Sequence, residues 1–270
     1  MTQLLTRPSM TDTLAYRAPA ALSGSAWEEV SAKYLYIPTS GIVNKLEEEG
    51  FTLTGVQQSR TRIPGKAPFS KHRLTFTVPQ DSSIVRKLGD SIPQIQLLNS
   101  HDRSSSLEVR RSIKRLICLN GMTSGGPEEF FKYPHRGAGH TLDDILGDVF
   151  SLVEGFGSLT TRVQAMQAKI LEPWQQSGLA AQAAELRWGD KAPVTPAQLL
   201  TARRHADQGS DVWSTFNRIQ ENLVRGGQGY VAPRTDGRPA RGGTTRAIKS
   251  IDADLKINGG LWNLAEALVA

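Results

Sequence analysis

Apolar and polar positions alternate in two neighbouring stretches in the first third of the chain. Residues 51–59 (FTLTGVQQS) and 69–78 (FSKHRLTFTV) both show the period of two that is typical of half-buried strands. The polar stretch between them carries Arg60, Arg62 and Lys66. The pattern therefore predicts a β-hairpin with a basic tip.

The next segments continue the sheet. Residues 94–99 (QIQLLN) predict a third strand. Residues 107–119 (LEVRRSIKRLICL) fit either a strand or a helix, because Leu107, Arg110 and Arg111 would also begin a basic helical stripe. The sequence leaves both interpretations open.

A long amphipathic helix is predicted in the middle of the chain. Apolar residues recur at steps of three and four from Leu142 to Ile170, after Thr141 as an N-cap. Gly155 and Gly157 are positions where this helix can bend. Strands followed by a long helix indicate an α+β fold: a small antiparallel sheet with a basic hairpin, packed on a long helix and followed by a helical C-terminal part.

The composition of the chain predicts three regions. Residues 1–25 lack periodicity and are expected to form a flexible arm, and residues 26–172 form the α+β core. Residues 173–270 form a helical C-terminal region. Within it, residues 226–246 are rich in glycine and arginine and are expected to be a disordered loop.

Positive charge is concentrated in two segments. Between Arg60 and Arg115 there are twelve Lys/Arg and four Asp/Glu, and between Arg218 and Lys249 seven and two, so the rest of the chain is acidic although the net charge is +6. This distribution favours a surface for a polyanion, above all nucleic acid. Solvated faces that keep the protein soluble, and another acidic partner, are the alternatives.

The fingerprints of nucleotide and metal enzymes are absent from the sequence. There is no Walker A loop, no GxGxxG after a strand and no HExxH, and the single cysteine excludes a CxxC pair. The run Asn99-Ser100-His101-Asp102 is the best candidate for chemistry, because His101 and Asp102 could bind a metal ion that hydrolyses phosphate esters. A polar turn or structural network is the simpler interpretation of this run.

The predicted nucleic-acid-binding residues lie on the hairpin, on its neighbouring strands and in the glycine-rich segment. A basic groove on the sheet would follow a phosphate backbone, and arginines beside an aromatic ring suit strand capture. The residues are Arg60, Arg62, Lys66, Lys71, Arg73, Arg103, Arg110, Arg111, Lys114, Arg115, Tyr230, Arg234, Arg238 and Arg241.

Three blocks of the sequence resemble a known family. NSHDRSSSLEVRRSIKRLICLNGM, FNRIQENLVRGG and IKSIDADLKINGGLWNLA are similar to signature blocks of the phage- and plasmid-borne domain-of-unknown-function family 932. Arg103 stands where that family usually has glycine, which puts a tight turn with positive φ at this position in question.

The resemblance implies a mobile-element setting but no activity. The predicted order of hairpin, strand and long helix is also similar to the pattern of phage single-strand annealing recombinases of the lambda Beta type. We therefore expect a protein that binds and anneals single-stranded DNA without covalent catalysis, as a ring or filament of identical subunits in the cytoplasm of a bacterial host. No cofactor is expected beyond Mg²⁺ as a counterion, and no membrane partner, because no apolar run is long enough to span a bilayer. A metal-dependent nuclease using His101 and Asp102, and a protein that blocks host defence, are the alternatives.

Overall fold

The computed structural model of the protein describes residues 9–79, 91–115, 121–123, 130–137, 139–232 and 240–270. The chain divides into two compact units. Unit 1 comprises Met1–Lys114 and Pro127–Phe156, and unit 2 comprises Arg115–Gly126 and Gly157–Ala270. The boundary between the two units falls after Phe156, inside the long predicted helix, and the division into regions 1–25, 26–172 and 173–270 stays a prediction.

Unit 1 combines helices with an antiparallel sheet, which confirms the α+β class. Its elements are, in chain order, α1 (Met10–Arg17), α2 (Thr39–Glu48), β1 (Thr52–Gln58), β2 (His72–Thr77), β3 (Ser91–Asn99), β4 (Leu107–Arg115, whose last residue is assigned to unit 2), β6 (Phe130–Tyr133) and α3 (Leu142–Glu154). The strand order is β1-β2-β3-β4, and β6 pairs with β4.

The predicted hairpin is present. β1 and β2 pair in antiparallel register, with Val56 opposite Leu74, and β2 pairs with β3 so that His72 lies opposite Asn99. Residues 107–115 form a strand, which settles the open choice for this part of the segment, and residues 116–119 lie outside the described residues. β6 is antiparallel to β4, with Tyr133 opposite Leu107.

One face of this sheet, called here the helix face, packs against α2 and α3. Leu74, Phe76 and Leu97 are fully buried there. Tyr133 on β6 donates a hydrogen bond to Asp148 of α3, which places Leu107, Val109 and Arg111 on the same side. α2 contributes Ile42, Val43 and Leu46, and α3 contributes Ile145, Val149 and Leu152. Burial of these apolar side chains is the main force that holds the helices on the sheet.

The segment expected to be a flexible arm forms helical turns where the structure describes it, from residue 9 onward. Ser9 caps α1 by accepting a hydrogen bond from Asp12 N, and Leu14 is fully buried. The backbone N–H of Ala20 donates to Gln58 Oε1 at 3.0 Å, which joins this segment to β1. The arm was predicted to be flexible because its few apolar residues show no repeating period. Small side chains such as Ala18, Ala20 and Ala21 can nevertheless be buried completely.

Unit 2 is mainly helical, as expected for the C-terminal part. Its elements are β5 (Gly121–Thr123), α4 (Phe156–Ala168, whose first residue is assigned to unit 1), α5 (Pro173–Trp188), α6 (Pro196–Leu199), α7 (Val212–Arg225), β7 (Gly229–Ala232), β8 (Arg241–Thr244) and α8 (Ile251–Glu266). The long predicted helix is divided at Gly155 into α3 and α4. None of the helices in the described ranges has both the length and the apolar character needed to cross a membrane.

The glycine- and arginine-rich segment differs from the expected disordered loop in its described residues. β7 and β8 form an antiparallel pair with Tyr230 opposite Gly243. A Cβ atom at Gly243 would lie 2.8 Å from the Tyr230 ring, so the missing side chain makes room for the aromatic ring. Low apolar content led to the prediction of disorder, but glycine here allows close packing.

Candidate nucleic-acid interface

A buried amide organises one end of the sheet in unit 1. Asn99 is the last residue of β3 and is fully buried. Its Nδ2 donates to the carbonyl of Ile37 at 3.1 Å and to Thr39 Oγ1 at 3.0 Å, and its Oδ1 accepts from Ser100 N at 2.8 Å. The Asn99 side chain thus provides hydrogen-bond partners that these buried groups need.

Two buried histidines share the Thr39 hydroxyl with Asn99. His72 Nδ1 lies 3.0 Å from the carbonyl of Ser70, so Nδ1 carries the proton and Nε2 accepts from Thr39 Oγ1 at 2.9 Å. His101 Nε2 lies 3.4 Å from the same hydroxyl, and its Nδ1 is buried without a hydrogen-bond partner in the part of the chain that the structure describes.

Burial keeps both of these rings neutral near pH 7. It lowers the pKa of His72 to about 4, because a charged imidazolium would lose its hydration. It lowers the pKa of His101 to about 3, with repulsion from His72 and His135 as further causes. Neither ring therefore acts as a surface cation.

A third histidine joins this network from the turn after β6. His135 Nδ1 lies 2.8 Å from the carbonyl of Leu35, and its Nε2 lies 3.0 Å from Asn99 Oδ1. Both ring nitrogens face oxygen acceptors, so both contacts are hydrogen bonds only when the His135 ring is protonated. Burial lowers the pKa of His135 and therefore opposes the protonated form. The His135 ring also stacks on Tyr34, with 4.6 Å between the ring centroids.

The buried polar cluster, defined as Thr39, His72, Asn99 and His101 together with the partly exposed His135, is surrounded by hydrogen bonds between the segments that meet at this end of the sheet. The connecting hydrogen bonds are His101 N to Phe69 O, Trp27 N to His101 O, Leu35 N to His135 O and Tyr34 Oη to Ser100 O, each 2.9 Å long. Four segments are therefore fixed to one another: residues 26–38, the β1–β2 loop, the β3–β4 loop and the turn after β6.

An ion pair adds to this fixation. Lys66 Nζ in the β1–β2 loop lies 3.3 Å from Asp102 Oδ2 in the β3–β4 loop and 4.7 Å from the Trp27 ring centroid. Burial alone would raise the pKa of Asp102, but hydrogen bonds from Ser104 and the charge of Lys66 outweigh it and hold that pKa below its usual value. Lys66 was predicted to contact nucleic acid, whereas here its charge is largely used within the protein.

Exposed arginines lie on the loops that the buried polar cluster holds. Arg60 and Arg62 lie in the β1–β2 loop, Arg103 in the β3–β4 loop and Arg136 in the turn after β6, and all four are exposed. We call these four residues the arginine end of the sheet. Within the described part of the chain their side chains take part in no ion pair or hydrogen bond, in contrast to the side chain of Lys66. Glu28 and Glu29 are also exposed beside Trp27, so cations outnumber carboxylates at this end.

Arg103 has an unusual backbone conformation. Its φ angle is +63°, and it is the one non-glycine residue with positive φ among those described. The tight turn at this position is therefore kept although a side chain is present. A left-handed conformation costs a non-glycine residue roughly 1–2 kcal/mol. Strain of this kind at an exposed position is a feature of many functional sites.

The other face of the sheet carries further predicted residues, but several have partners. Arg73 donates to Gln57 Oε1 at 2.8 Å, and Arg110 donates to Glu108 Oε2 at 2.6 Å and 2.9 Å. The guanidinium of Arg110 also lies 4.1 Å from the Phe130 ring centroid. Lys71 and Lys114 are partly exposed. The predicted continuous basic groove along the strands is therefore interrupted by Glu108.

Arg111 lies on the helix face and not on the predicted groove. It is 5% exposed, and its Nη1 donates to the carbonyl of Gly155 at the C-terminal end of α3. A cation at this position complements the partial negative charge of the helix C-terminus. Its expected contact with nucleic acid is not compatible with this placement, because strand alternation turns Arg111 to the same side as Leu107 and Val109.

The remaining predicted residues lie partly outside the described residues. Arg234 and Arg238 fall between β7 and β8, in the stretch that is not described. The backbones of Arg115 and Arg241 lie in β4 and β8, and their side chains are not described. Tyr230 packs over Gly243 in unit 2 and is partly exposed.

The side chains of the candidate catalytic pair, His101 and Asp102, are buried inside the protein. His101 is fully buried and Asp102 is 4% exposed. Among the residues that the structure describes, no three His, Cys, Asp or Glu side chains form a group that could hold a metal ion. This geometry matches the simpler interpretation of the run as a structural network.

Sequence reasoning missed Thr39, His135 and Arg136 as members of this region. His135 lies 36 positions from Asn99, so no local spacing links them. Arg136 could have been identified from its position shortly after a short strand. Because β6 is antiparallel to β4, the end of β6 lies beside the start of β4, and residues that follow β6 therefore lie near the β3–β4 loop.

The fold and this site define an α+β protein with an arginine-bearing sheet end fixed by a buried polar cluster. The chain belongs to the DUF932 family (Domain of unknown function), whose model matches residues 26–262. It is similar to two Escherichia coli (strain K12) proteins, UPF0380 protein YafZ at 36% identity and UPF0380 protein YfjQ at 35%. Each match covers 97% of this chain and 92% of the relative. No solved structure matches the chain.

Proposed function

We propose that the protein binds single-stranded DNA through the arginine end of its sheet and promotes the annealing of complementary strands. The observation that carries this proposal is the presence of four exposed arginines on three separate loops, all fixed to one another by a buried network. Arginine forms bidentate hydrogen bonds with phosphate, and several such contacts along a strand give strong binding without sequence preference.

Rigid placement of the arginines supports the same proposal. A flexible loop must lose conformational entropy when it binds, whereas loops that are already held in place lose less. The buried polar cluster holds these loops from within the protein, because His72 and His101 are neutral and fully buried and only His135 is partly exposed. The cluster therefore positions the binding residues and does not itself contact DNA.

Contacts to phosphate leave the bases free to pair. Phosphate contacts position a nucleic acid but do not read its bases, so a second strand can pair with the bound one. Annealing of this kind forms and breaks no covalent bond, and it needs neither a metal ion nor a cofactor from the protein. Assembly of several subunits along one strand, as a ring or a filament, would lengthen the bound region.

An annealing assay tests the proposal. Two complementary oligonucleotides that carry a fluorophore and a quencher are mixed with the protein, and the fluorescence decay gives the annealing rate. We expect acceleration by the wild type and loss of most of it in the triple variant Arg60→Gln, Arg62→Gln and Arg136→Gln. The matched control changes three exposed lysines elsewhere (Lys45→Gln, Lys169→Gln and Lys191→Gln) and should keep the rate. Equal rates for both variants would exclude the arginine end as the binding site.

A further inference from the structure

Unit 2 contains a cavity that is separate from the arginine end. It has a volume of about 340 Å³ and lies between the C-terminal end of α5 and the beginning of α8. Pockets for small molecules typically range from roughly 300 to 1,000 Å³. The cavity is therefore large enough for a ligand of the size of a mononucleotide.

Three cations line this cavity. They are Arg187 from α5, Lys249 just before α8 and Lys256 within α8, and none of the eight lining residues is acidic. Asp252 and Asp254 in the first turn of α8 are not among the lining residues. A cavity with this lining attracts an anion.

Arg187 has hydrogen-bonding capacity that the described part of the chain does not use. Its Nη2 donates to the carbonyl of Arg246, and its guanidinium lies 4.5 Å from the Trp188 ring centroid. Its Nη1 is buried and has no hydrogen-bond partner among the described residues. Arg187 itself lines the cavity, so its positive charge adds to the attraction for an anion there.

Apart from Ser250, the rest of the wall is apolar. Leu186, Ile248 and Ile257 line the cavity beside the cations. Leu186 is closely packed against α8, because a Cβ atom at Gly260 would lie 2.6 Å from its Cδ2. A ligand for this cavity therefore combines an anionic group with a flat or apolar body.

We propose that this cavity binds a phosphate monoester attached to a nucleoside. The phosphate lies among Arg187, Lys249 and Lys256, and the nucleoside packs on Leu186, Ile248 and Ile257. A free nucleoside monophosphate and the 5′-terminal nucleotide of a DNA strand present the same chemistry. This inference rests on unit 2 and does not depend on the arginine end.

Calorimetric titration of the full-length protein tests the site. We expect dTMP to bind and thymidine, which lacks the phosphate, not to bind. Lys256→Gln should weaken dTMP binding about tenfold or more, since a charge-assisted hydrogen bond is lost. The control Lys191→Gln changes an exposed lysine of the same unit outside the cavity and should leave the affinity unchanged.

Three results would overturn the inference: no binding of dTMP, equal binding of thymidine, or equal affinities in Lys256→Gln and the wild type. Circular dichroism of the Lys256→Gln variant checks that a loss of binding does not come from unfolding. A comparison of the 5′-phosphorylated dinucleotide pdTdT with dTMP identifies the source. Tighter binding of pdTdT assigns the cavity to strand ends, and equal or weaker binding assigns it to free nucleotides.

Discussion

The side chain of Asn99 donates a hydrogen bond to Thr39 Oγ1 at 3.0 Å, and this contact joins the end of β3 to the first residue of α2. The same hydroxyl lies 2.9 Å from His72 Nε2. The contact therefore connects the sheet, a helix and the loops that carry the exposed arginines.

Removal of the Asn99 side chain should destabilise unit 1. Asn99→Ala leaves buried partners at Ile37, Thr39 and Ser100 without their hydrogen bonds. Each unsatisfied buried group costs ~1–3 kcal/mol, so we expect a loss of roughly 3 kcal/mol in the free energy of unfolding. Urea denaturation measures this value. Asn44→Ala, on the exposed side of α2, is the matched control and should change stability by less than about 0.5 kcal/mol. Similar effects of the two substitutions would contradict the role of the cluster.

Arg103 offers a test in which stability and binding change in opposite directions. Arg103→Gly relieves the positive φ angle and should raise the free energy of unfolding by about 1 kcal/mol. The same change removes a proposed phosphate contact and should weaken binding to an oligonucleotide. Thermal denaturation and fluorescence anisotropy measure the two effects.

Arg103→Ala separates these two contributions. Alanine keeps the strained φ angle, so this variant should lose affinity without gaining stability. An Arg103→Gly protein that binds DNA as tightly as the wild type would remove Arg103 from the proposed interface.

Acid should destabilise the protein through the buried histidines. His72 and His101 have pKa values of about 4 and about 3 in the folded state, below the 6.5 that is usual for a histidine in water. At a pH between the folded and the unfolded pKa, the unfolded chain binds more protons than the folded protein. The free energy of unfolding therefore falls as the pH drops from 6.5 towards 4. Each histidine contributes at most about 1.4 kcal/mol per pH unit.

Urea denaturation at several pH values between 7 and 4.5 measures this dependence. Replacement of one ring, in His72→Gln, should reduce the slope of stability against pH by about one proton. A slope that is the same in the variant and the wild type would show that His72 titrates normally in the folded protein.

Two glycines of unit 2 should respond in opposite directions to alanine. Gly226 has a φ of +65°, and a Cβ atom there would lie 2.6 Å from the carbonyl oxygen of Thr245. Gly226→Ala should therefore lose at least about 2 kcal/mol of stability. Gly157 lies in α4 with no atom within 4 Å of a Cβ, so Gly157→Ala should gain up to about 1 kcal/mol. Thermal denaturation distinguishes the two outcomes, and equal effects would contradict this description of the β7–β8 region.

The fold could be predicted from the sequence in segments where apolar residues recur with the period of a strand or a helix. The alternation around Leu74 and Phe76 identified the hairpin, and Gly155 was one of two positions predicted for a bend in the long helix, which the structure divides there into two helices. Periodicity failed at the N-terminal arm, whose burial depends on small residues such as Ala20 and Ala21. It also failed in the β7–β8 pair, where Gly243 makes room for an aromatic ring.

The site could be predicted only in part, because charge alone does not show which way a side chain points. Arg60 and Arg62 were correctly placed in an exposed hairpin loop. Arg111 was grouped with them by its charge, although the alternation of β4 turns it to the buried face. The partner of Lys66 could not be predicted either, since Asp102 is brought close to it only by the pairing of β2 with β3.

The central claim is that the arginine end binds the phosphate backbone of DNA. Fluorescence anisotropy of a labelled single-stranded oligonucleotide tests it most directly, with affinities measured between about 50 and 200 mM salt. For the wild type we expect affinity to fall steeply with salt. In the triple variant Arg60→Gln, Arg62→Gln and Arg136→Gln, the slope of log affinity against log salt should be smaller by about 2, since each lost phosphate contact removes roughly 0.7. Absent binding by the wild type, or an unchanged slope in the variant, would contradict the account.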